Sequence, residues 1–439
     1  MRTRRTCGGS MVPGALALAA AVALAGAGAP VCAQTRPDGG DGWWRAWSPL
    51  APVAELARPP APAPMFPLLL LAPPLRVGLS WTAGNPAALS GDVAEGYTEF
   101  RGGVRDESGA YRRPLDAGRV RSLVASAHGW RPLGPSGGVA GGVTVERATL
   151  EDGVPANLGE AYAMSPHLFA DSSGSDLGRT LARVEGAGGW ALGDWGLGLA
   201  LGHESWDTRT DVTQVPRSQR GSRSGAAVGA TRALASGRLM VGGQARWLSQ
   251  VQAMSINTRQ AETTVYMLEG YGEPVATRLV ARQGYSRRVE REGGAAGVSA
   301  QIEAAGVRWI AFAEASKLAE RQSEQFSNNP PTDRWDARGR ALGVAASGGA
   351  PDGPSHFVAR LTWARVTGEA GRAGLEEEGI LFEATESLLD GALDVRLRPA
   401  AGWQGGAHLS LVRDDRDRRD RLARVRSSLK SWRPALAVE

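Results

Sequence analysis

From about Glu95 onward, the chain consists of short runs in which large apolar residues alternate with small or polar ones. The clearest run begins at Trp195, where Trp195, Leu197, Leu199 and Leu201 are separated by glycine and alanine. Because successive residues of a β-strand point to opposite sides, each run has one apolar face and one small or polar face. Breaks rich in glycine, aspartate, serine and proline separate the runs. The pattern therefore predicts an all-β chain with many strands.

Composition favours strands over membrane helices. The chain has 59 glycines, and each glycine inside a helix costs about 1 kcal/mol relative to alanine. Downstream of residue 33 no segment offers the about 20 unbroken apolar residues of a membrane helix. Strands with an apolar face suit lipid only when they close, because hydrocarbon tolerates no open sheet edge. We expect residues 81–439 to form a transmembrane antiparallel up-and-down β-barrel of about 14 strands, within a range of about 12 to 16.

The breaks between runs differ in length, as the turns and loops of such a barrel do. Gly193-Asp194 and Ala235-Ser236-Gly237 are short enough for hairpin turns. Longer polar stretches are predicted as extracellular loops, at 150–178, 207–222, 319–335 and 413–424. Pro434 is expected to interrupt a closing C-terminal strand, and Trp432 is the candidate for the terminal aromatic residue.

The N-terminus has the features of an export signal. Arginines at positions 2, 4 and 5 precede an apolar stretch from Met11, and Val31-Cys32-Ala33 offers a cleavage site. We therefore predict a signal peptide over residues 1–33, whose removal takes away Cys7 and Cys32 and with them any disulfide or thiol chemistry. Residues 34–80 form a Pro/Ala-rich segment, interpreted as a periplasmic linker or as a plug in the barrel mouth.

Tryptophans fall near the ends of many predicted strands. Trp is enriched at membrane–water boundaries, where its ring is apolar and its N–H can stay hydrated. The alternative explanation is the core of a soluble, secreted β-sandwich. The candidate aromatic girdle consists of Trp130, Trp190, Trp195, Trp206, Trp247, Trp309, Trp363 and Trp403.

Arginines recur at spacings that keep them on one face of a strand. A charge on the lipid side costs about 2–4 kcal/mol at mid-bilayer, so we expect these side chains to line the lumen or lie near the rims. Two interpretations remain open: charges that pair across the lumen and stiffen the wall, or a polar cavity that favours anions. The candidate lumen-lining residues are Arg179, Arg183, Glu185, Arg278, Arg282, Arg338, Arg340, Arg396 and Arg398.

Five stretches resemble known barrels. Asn85-Pro86-Ala87-Ala88-Leu89 resembles the start of porin-like barrels of the fatty-acid-transporter type. The other four resemble a bacterial outer-membrane barrel family with no assigned function: Tyr111-Arg112-Arg113-Pro114, Gly142-Val143-Thr144-Val145-Glu146, the stretch from Ser165 to Ser172, and the stretch from Leu199 to Arg209. The resemblance covers about residues 81–250, implies an outer-membrane location and about 12 to 14 strands, and brings no catalytic residues.

The sequence carries no recognised catalytic or metal-binding motif. The five histidines are far apart, and neither H-E-x-x-H nor G-x-S-x-G is present. The cluster His203-Glu204-Ser205 is the one place where a rim hydrolase could be tested. We expect no catalytic residues, no cofactor and no metal. Basic residues do not form a dense patch interleaved with aromatics, so we expect no nucleic-acid partner.

These observations predict a porin-like channel or transporter for small or amphipathic solutes in the bacterial outer membrane. The expected partners are outer-membrane lipid, the barrel-assembly machinery and an unknown small solute. One alternative is a structural or assembly barrel of the envelope with a filled lumen. A second alternative is a lipid or peptide hydrolase located at the rim.

Overall fold

A computed structural model describes fourteen stretches of the chain, and the statements below refer to these residues. They are 85–90, 97–108, 117–134, 136–153, 168–171, 175–210, 217–256, 265–268, 285–324, 333–349, 355–372, 382–400, 403–421 and 424–438. The predicted signal peptide (1–33) and the Pro/Ala-rich segment (34–80) lie outside them. In the part of the chain described, no helix has the length and apolar character needed to cross a membrane.

Fourteen strands form one antiparallel sheet, and two short strands form a separate ribbon. The large sheet contains β1 (Tyr97–Ser108), β2 (Arg119–Pro132), β3 (Gly137–Gly153), β5 (Ser175–Leu192), β6 (Trp195–Thr210), β7 (Arg217–Leu234), β8 (Leu239–Ile256), β10 (Tyr285–Ala304), β11 (Val307–Glu324), β12 (Asp333–Gly348), β13 (Ser355–Arg372), β14 (Phe382–Ala400), β15 (Trp403–Asp420) and β16 (Val425–Val438). The ribbon pairs β4 (Leu168–Asp171) with β9 (Val265–Leu268).

The sheet is an up-and-down meander. Its strand order follows the chain from β1 to β16, with β4 and β9 left out. Among the described strands, β1 pairs with β2 alone and β16 pairs with β15 alone. The prediction of an antiparallel up-and-down sheet of about fourteen strands is thus confirmed.

The two ends of the sheet differ in their connections. At one end, which we call the tight-turn end, two residues join β5 to β6 and two join β10 to β11. Gly193 and Gly306 in these turns have φ of +62° and +74°, the left-handed region that glycine adopts without strain. At the other end, the long-loop end, longer stretches of sequence separate the strands, such as residues 257–284 between β8 and β10.

Several strands reach into stretches predicted as loops at the long-loop end. The predicted loops 207–222 and 319–335 begin inside strands, because β6 runs to Thr210 and β11 runs to Glu324. The expected loop 413–424 is wrong for most of its length, because β15 continues to Asp420. Pro434 does not interrupt the last strand: it lies inside β16 in register with Leu411, on an edge strand where proline is tolerated.

The two faces of the sheet are chemically opposite. On β6, Trp195, Leu197, Leu199 and Leu201 are exposed, whereas the alternate residues, such as Ala200, are buried or partly buried. We call the face of Ala200 the inner face and the face of the leucines the outer face. Because directly paired residues lie on the same side, the register carries this assignment across all fourteen strands.

The outer face is apolar over the half of the sheet nearest the tight-turn end. This apolar belt starts at the tight-turn end and is formed by the outer-face residues within 195–201, 239–247, 294–302, 309–315, 342–346 and 357–363. From Leu239 to Trp247 it measures about 27 Å along the strand, comparable with the apolar band of about 25 Å that membrane barrels present to lipid. Toward the long-loop end the outer face becomes polar, as at Glu290 and Arg365.

Exposed tryptophans border the apolar belt on both sides. Trp190, Trp195 and Trp309 lie on the outer face at the tight-turn end. Trp363 is the last apolar outer-face residue on β13 before Arg365, and Trp247 is the last aromatic outer-face residue on β8, followed by Ser249. Trp432 has the same place on β16, next to Lys430. This arrangement is typical of interfacial girdles.

Candidate functional site

A row of charged and amide side chains crosses the inner face from β5 to β11. The residues of this charge ladder are directly opposite one another in consecutive strands: Arg183, Glu204, Arg223, Gln250, Arg291 and Glu320. Arg223 Nη2 donates to Glu204 Oε1 over 3.0 Å, and Arg183 Nη1 lies 3.9 Å from Glu204 Oε2. The strand alternation places every member on one face, and opposite charges alternate along much of the row.

The carboxylates of the charge ladder are deeply buried. Glu320 has 0% of its surface exposed and accepts from Arg291 Nε and Gln322 Nε2, each over 2.6 Å. Arg183 also donates through Nε to Glu185 Oε1 over 2.9 Å. Charges removed from water are tolerated when partners of opposite charge satisfy them. The ladder is therefore a set of paired charges in the wall.

Further ion pairs continue the polar inner face on both sides. Arg179 bonds Glu146 over 2.6 Å, and Arg246 pairs with Glu314. On the β14–β15 side, Arg418 pairs with buried Glu386, Arg416 bonds Asp414 over 2.7 Å, and His408 Nδ1 lies 2.6 Å from Asp394 Oδ1. The run of charges from Arg413 to Arg421 is thus split by the alternation of β15 between the two faces.

Polar atoms without partners lie beside the ladder, toward the long-loop end. Gln252, 1% exposed, has no hydrogen bond to either side-chain atom among the described residues. The Gln219 Nε2 and Trp206 Nε1 groups are likewise buried and unbonded there. We call these three residues the amide cluster, after the side-chain amides of its two glutamines. An unpaired buried polar group costs about 1–3 kcal/mol, so the cluster is a place where water or a polar solute group would be stabilised.

Toward the tight-turn end, the inner face holds a short turn that comes from the N-terminal side of the sheet. Pro86–Ser90 forms a 3₁₀ turn, and we call residues 85–90 the inner turn. Asn85, 1% exposed, donates from Nδ2 to the carbonyl oxygens of Ala230 (3.3 Å) and Gly243 (3.2 Å). Its Oδ1 accepts from the Ala87 amide over 3.0 Å. One side chain thus fixes the turn to two strands.

The wall beneath the inner turn consists of the smallest residues. Ala187, Ala200 and Ala227 lie in one register row, and Gly189, Gly198 and Gly229 lie in the next. A Cβ added at Gly229 would stand 2.0 Å from Asn85 Oδ1, and one at Gly198 would stand 2.2 Å from the Ala87 nitrogen. Leu89 packs with Ala140, Ala187, Ala200 and Ala227 in a buried apolar cluster. Glycine is required here because the turn approaches the strand backbone closely.

The predicted lumen-lining residues fall into three groups. Arg179, Arg183 and Glu185 lie on the inner face and take part in its ion pairs. Arg278 and Arg282 lie outside the described residues. Arg396 and Arg398 belong to β14, and their side chains are outside the description.

For Arg338 and Arg340 the expected face is corrected. Both are exposed and lie on the same side of β12 as Leu342, opposite the buried Trp335 and Ala341. The prediction allowed two positions, the lumen or the rims. Both side chains lie on the outer face just beyond the apolar belt, so they do not line the inner face.

The girdle prediction is corrected for Trp206, whose ring lies on the inner face. An added Cβ on the facing Gly221 would stand 2.2 Å from its Cζ2 atom. Trp130 and Trp403 belong to β2 and β15, and their side chains are outside the description. The inner face also holds Trp335, 2% exposed, with its ring centroid 6.0 Å from that of Phe382.

The residues of the His203-Glu204-Ser205 cluster point to different sides. His203 lies on the outer face with Nδ1 2.9 Å from Ser224 Oγ, whereas Glu204 is buried on the inner face. Within the described strands, no group of three or more histidine, cysteine or acidic side chains is arranged to hold a metal ion.

Sequence reasoning missed most of the charge ladder. Glu204 was selected only as part of a candidate hydrolase cluster. Arg223, Arg291 and Glu320 were not selected, because none of them shows the i, i+2 arginine spacing that drew attention to the other charges. The useful signal was the odd or even position of each charge along its strand, combined with the register that the hairpin turns set. Once those turns are fixed, Glu204 faces both Arg183 and Arg223. Likewise the small residues of 198–200 and 227–229 identify where another segment approaches the wall.

The fold and the inner face define a class: an antiparallel meander resembling outer-membrane barrels, with an apolar belt outside and paired charges inside. Residues 86–348 match a family of unknown function, DUF6850, and the chain belongs to that family. The expected resemblance to a barrel family with no assigned function is confirmed. A comparison with curated proteins gave no match.

Solved structures to which the chain is similar include outer-membrane transporters and another outer-membrane protein. The ferric citrate transporter FecA has 7% identity and a TM-score of 0.38, with 76% of this chain and 53% of that chain covered. The Escherichia coli outer-membrane transporter YddB has 8% identity and a TM-score of 0.34, with 73% and 52% covered. The Vibrio cholerae outer-membrane protein OmpT has 10% identity and a TM-score of 0.28, with 79% and 98% covered. The chain thus spans about half the length of the first two proteins.

Proposed function

We propose that the sheet closes into a β-barrel in the bacterial outer membrane and acts as a channel or transporter for small or amphipathic solutes. The observation that carries this proposal is the inversion of polarity between the faces. Exposed leucines and tryptophans form the apolar belt outside, while Arg223, Glu204 and Glu320 are buried on the inner face. A soluble β-sandwich would place the apolar face inside. A lipid-facing barrel needs the arrangement found here.

The inner face offers a solute both charge and unpaired hydrogen-bonding groups. The charge ladder supplies paired donors and acceptors, and the amide cluster supplies groups with no protein partner in the described residues. A passing solute that completes those hydrogen bonds would be held weakly, as transport requires. The adjoining apolar cluster around Trp335 and Phe382 is itself buried and packs the wall beside the ladder.

The inner turn gives this path a point of closure. It lies on the inner wall near the tight-turn end, which corresponds to the periplasmic side in membrane barrels. Two hydrogen bonds from Asn85 and the packing of Leu89 hold it there. Displacing the turn would open the lower part of the interior, so passage of solute depends on how firmly it is bound.

A second candidate is the filled structural barrel. The same buried ion pairs that line a path can lock neighbouring strands together and leave no continuous opening. The complete burial of Glu320 favours this alternative locally. The two candidates differ in one measurable property, which is ion conductance.

The test is single-channel recording in planar bilayers with the purified chain in potassium chloride. Asn85→Ala removes both hydrogen bonds that fix the inner turn to β7 and β8, so we expect a higher open fraction than in the wild type. Gly102→Ala is the matched control, since a Cβ there meets nothing within 4 Å. Silence of both the wild type and Asn85→Ala would favour the filled barrel. Envelope fractionation and a mobility shift between boiled and unboiled SDS-gel samples report separately on location and closure.

A further inference from the structure

Four cations form a continuous group on the outer face of β11, β12 and β13. Lys317 is directly opposite Arg338, and Arg340 is directly opposite Arg365. Arg338 and Arg340 are two residues apart and so lie on the same side of β12. All four side chains are exposed. We call Lys317, Arg338, Arg340 and Arg365 the cationic patch.

The patch is electrostatically unfavourable in the isolated chain. Like charges directly opposite one another destabilise an antiparallel pair, and here two such pairs are adjacent. Within the described residues, none of the four makes an ion pair. The nearest outer-face carboxylate on β12 is Asp336, which already binds Arg334 and lies 3.6 Å from Arg321. Exposed Glu292 on β10 and Glu369 on β13 lie one register row toward the long-loop end and make no ion pair with the four cations. The two like-charge pairs are therefore left to be neutralised by negative charge from outside the chain.

Other outer-face cations in the half of the sheet nearest the long-loop end are neutralised by carboxylates of the chain itself. Arg413 Nη2 bonds Asp415 over 2.7 Å, and the Arg413 guanidinium carbon lies 5.1 Å from the centroid of the Trp432 ring. Arg288 and Arg209, further toward the long-loop end, bond Glu290 and Asp207, each over 2.6 Å. Among the residues that the structure describes, the cationic patch on β11 to β13 is thus a group of four neighbouring cations that the chain itself does not pair.

The position of the patch indicates the occupant. On the tight-turn side it adjoins the apolar belt directly: Leu342 is 52% exposed, and Leu361 and Trp363 follow on β13. The carbon stems of lysine and arginine can lie along such apolar surface while their charges stay at the boundary. In a membrane that boundary is where the headgroup phosphates of lipids lie, and a guanidinium can bind a phosphate through two parallel hydrogen bonds.

We propose that the cationic patch binds the phosphates of an anionic lipid, namely the phosphorylated glucosamine headgroup of the outer leaflet glycolipid, with its acyl chains lying on the apolar belt. The proposal rests on the outer-membrane placement proposed above. Charge complementarity and direct continuity with exposed leucines favour a lipid over a soluble anion, which would have no use for the belt. A protein partner would bring acidic side chains to the same cations, and the experiment separates that outcome.

The test uses the full chain purified in a zwitterionic detergent, with binding of bisphosphorylated lipid A measured by native mass spectrometry. The variant combines Lys317→Gln, Arg338→Gln, Arg340→Gln and Arg365→Gln. The matched control removes the same charge from paired outer-face arginines: Arg209→Gln, Arg220→Gln, Arg288→Gln and Arg426→Gln. A mobility shift on boiling verifies that each variant has folded.

We expect the patch variant to bind lipid A about 10- to 100-fold more weakly than the wild type, and the control variant to bind as the wild type does. Dephosphorylated lipid A should bind the wild type as weakly as lipid A binds the patch variant. The proposal would be overturned if lipid A bound equally to all three proteins. It would also be overturned if the dephosphorylated form bound the wild type as tightly as lipid A does. Displacement of lipid A by inorganic phosphate, or by an acidic peptide at the same concentration, would overturn it in favour of a soluble anion or a protein. A wild type that shows no mobility shift would contradict the barrel itself, which is a different failure.

Discussion

Arg291 on β10 and Glu320 on β11 face each other directly in the register, and the arginine Nε donates to a carboxylate that has no exposed surface. The pair lies on the inner face, and the exposed pair of Arg288 and Glu290 lies on the outer face of the same strand, β10. The same two residue types therefore occur close together in two different surroundings.

Replacing Glu320 should be far more costly than replacing Glu290. Glu320→Ala leaves the Arg291 cation buried without its carboxylate, and breaking a buried pair costs about 3–5 kcal/mol. Glu290→Ala removes an exposed pair, which is worth about 1 kcal/mol or less. Urea unfolding of the refolded chain in detergent micelles, followed by tryptophan fluorescence, measures both. Equal losses of stability in the two variants would show that the inner face is solvated.

The glycine beneath the inner turn can be tested without touching the turn. Gly229→Ala places a methyl group where Asn85 Oδ1 stands, because the added Cβ would lie 2.0 Å from that atom. We expect the turn to be displaced and the open fraction in bilayer recordings to rise, as in Asn85→Ala. Gly186→Ala is the control, since its nearest neighbour, the Ala140 carbonyl oxygen, would be 3.9 Å away. An unchanged open fraction in Gly229→Ala would mean that the turn does not close the path.

Neutralising Glu204 should shift ion selectivity toward anions. This carboxylate balances Arg223 at 3.0 Å and Arg183 at 3.9 Å on the inner face. Glu204→Gln keeps the side-chain shape and leaves the two cations in excess along any aqueous path. The reversal potential in a potassium chloride gradient reports the change. Asp207→Asn, on the outer face of the same strand, should leave that potential where it was.

Lipid contact can be tested at neighbouring positions on opposite faces. With Cys7 and Cys32 replaced by serine, a fluorescent label at Leu342→Cys should be quenched in vesicles of brominated phosphatidylcholine. A label at Thr362→Cys should not, because Thr362 is paired with Gly343 on the inner face. Brominated acyl chains quench only what they touch, so the ratio of the two signals reports the lipid-facing side. Quenching at both positions, or at neither, would contradict the assignment of faces.

The sequence predicted the sheet well at one end and poorly at the other. The turns at Gly193-Asp194 and Ala235-Ser236-Gly237 lie where they were predicted, because the apolar alternation is strongest near the tight turns. Toward the long-loop end both faces of a strand are polar, so residues such as Asp207 and Arg209 lose the alternation and resemble a loop. The count of about fourteen strands was still recovered, since it depends on the length of the region and the usual length of a strand with its connection, and not on where each loop begins.

The candidate site was harder to predict. Residues two apart in a strand share a face, but the spacing does not say whether that face is the inner or the outer one. Arg179 and Arg183 share a face, as Arg338 and Arg340 do, yet the first pair lies inside and the second outside. Whether such a pair can lie on the outer face depends on its distance along the strand from the apolar belt. That distance is known only when the register of the neighbouring strands is known. The inner turn was recognisable as a motif, but its place against Gly198 and Gly229 depends on contacts far apart in sequence.

The polar upper half of the outer face has a consequence for assembly. If the sheet enters the membrane from the periplasmic side, the long-loop end leads, and charges such as Arg288, Arg338 and Arg365 must cross the hydrocarbon before they reach water again. Each arginine costs about 2–4 kcal/mol at mid-bilayer. This free-energy cost raises the transition state of insertion and is absent from the inserted state. The strands themselves thus make unassisted insertion slow and, once complete, difficult to reverse.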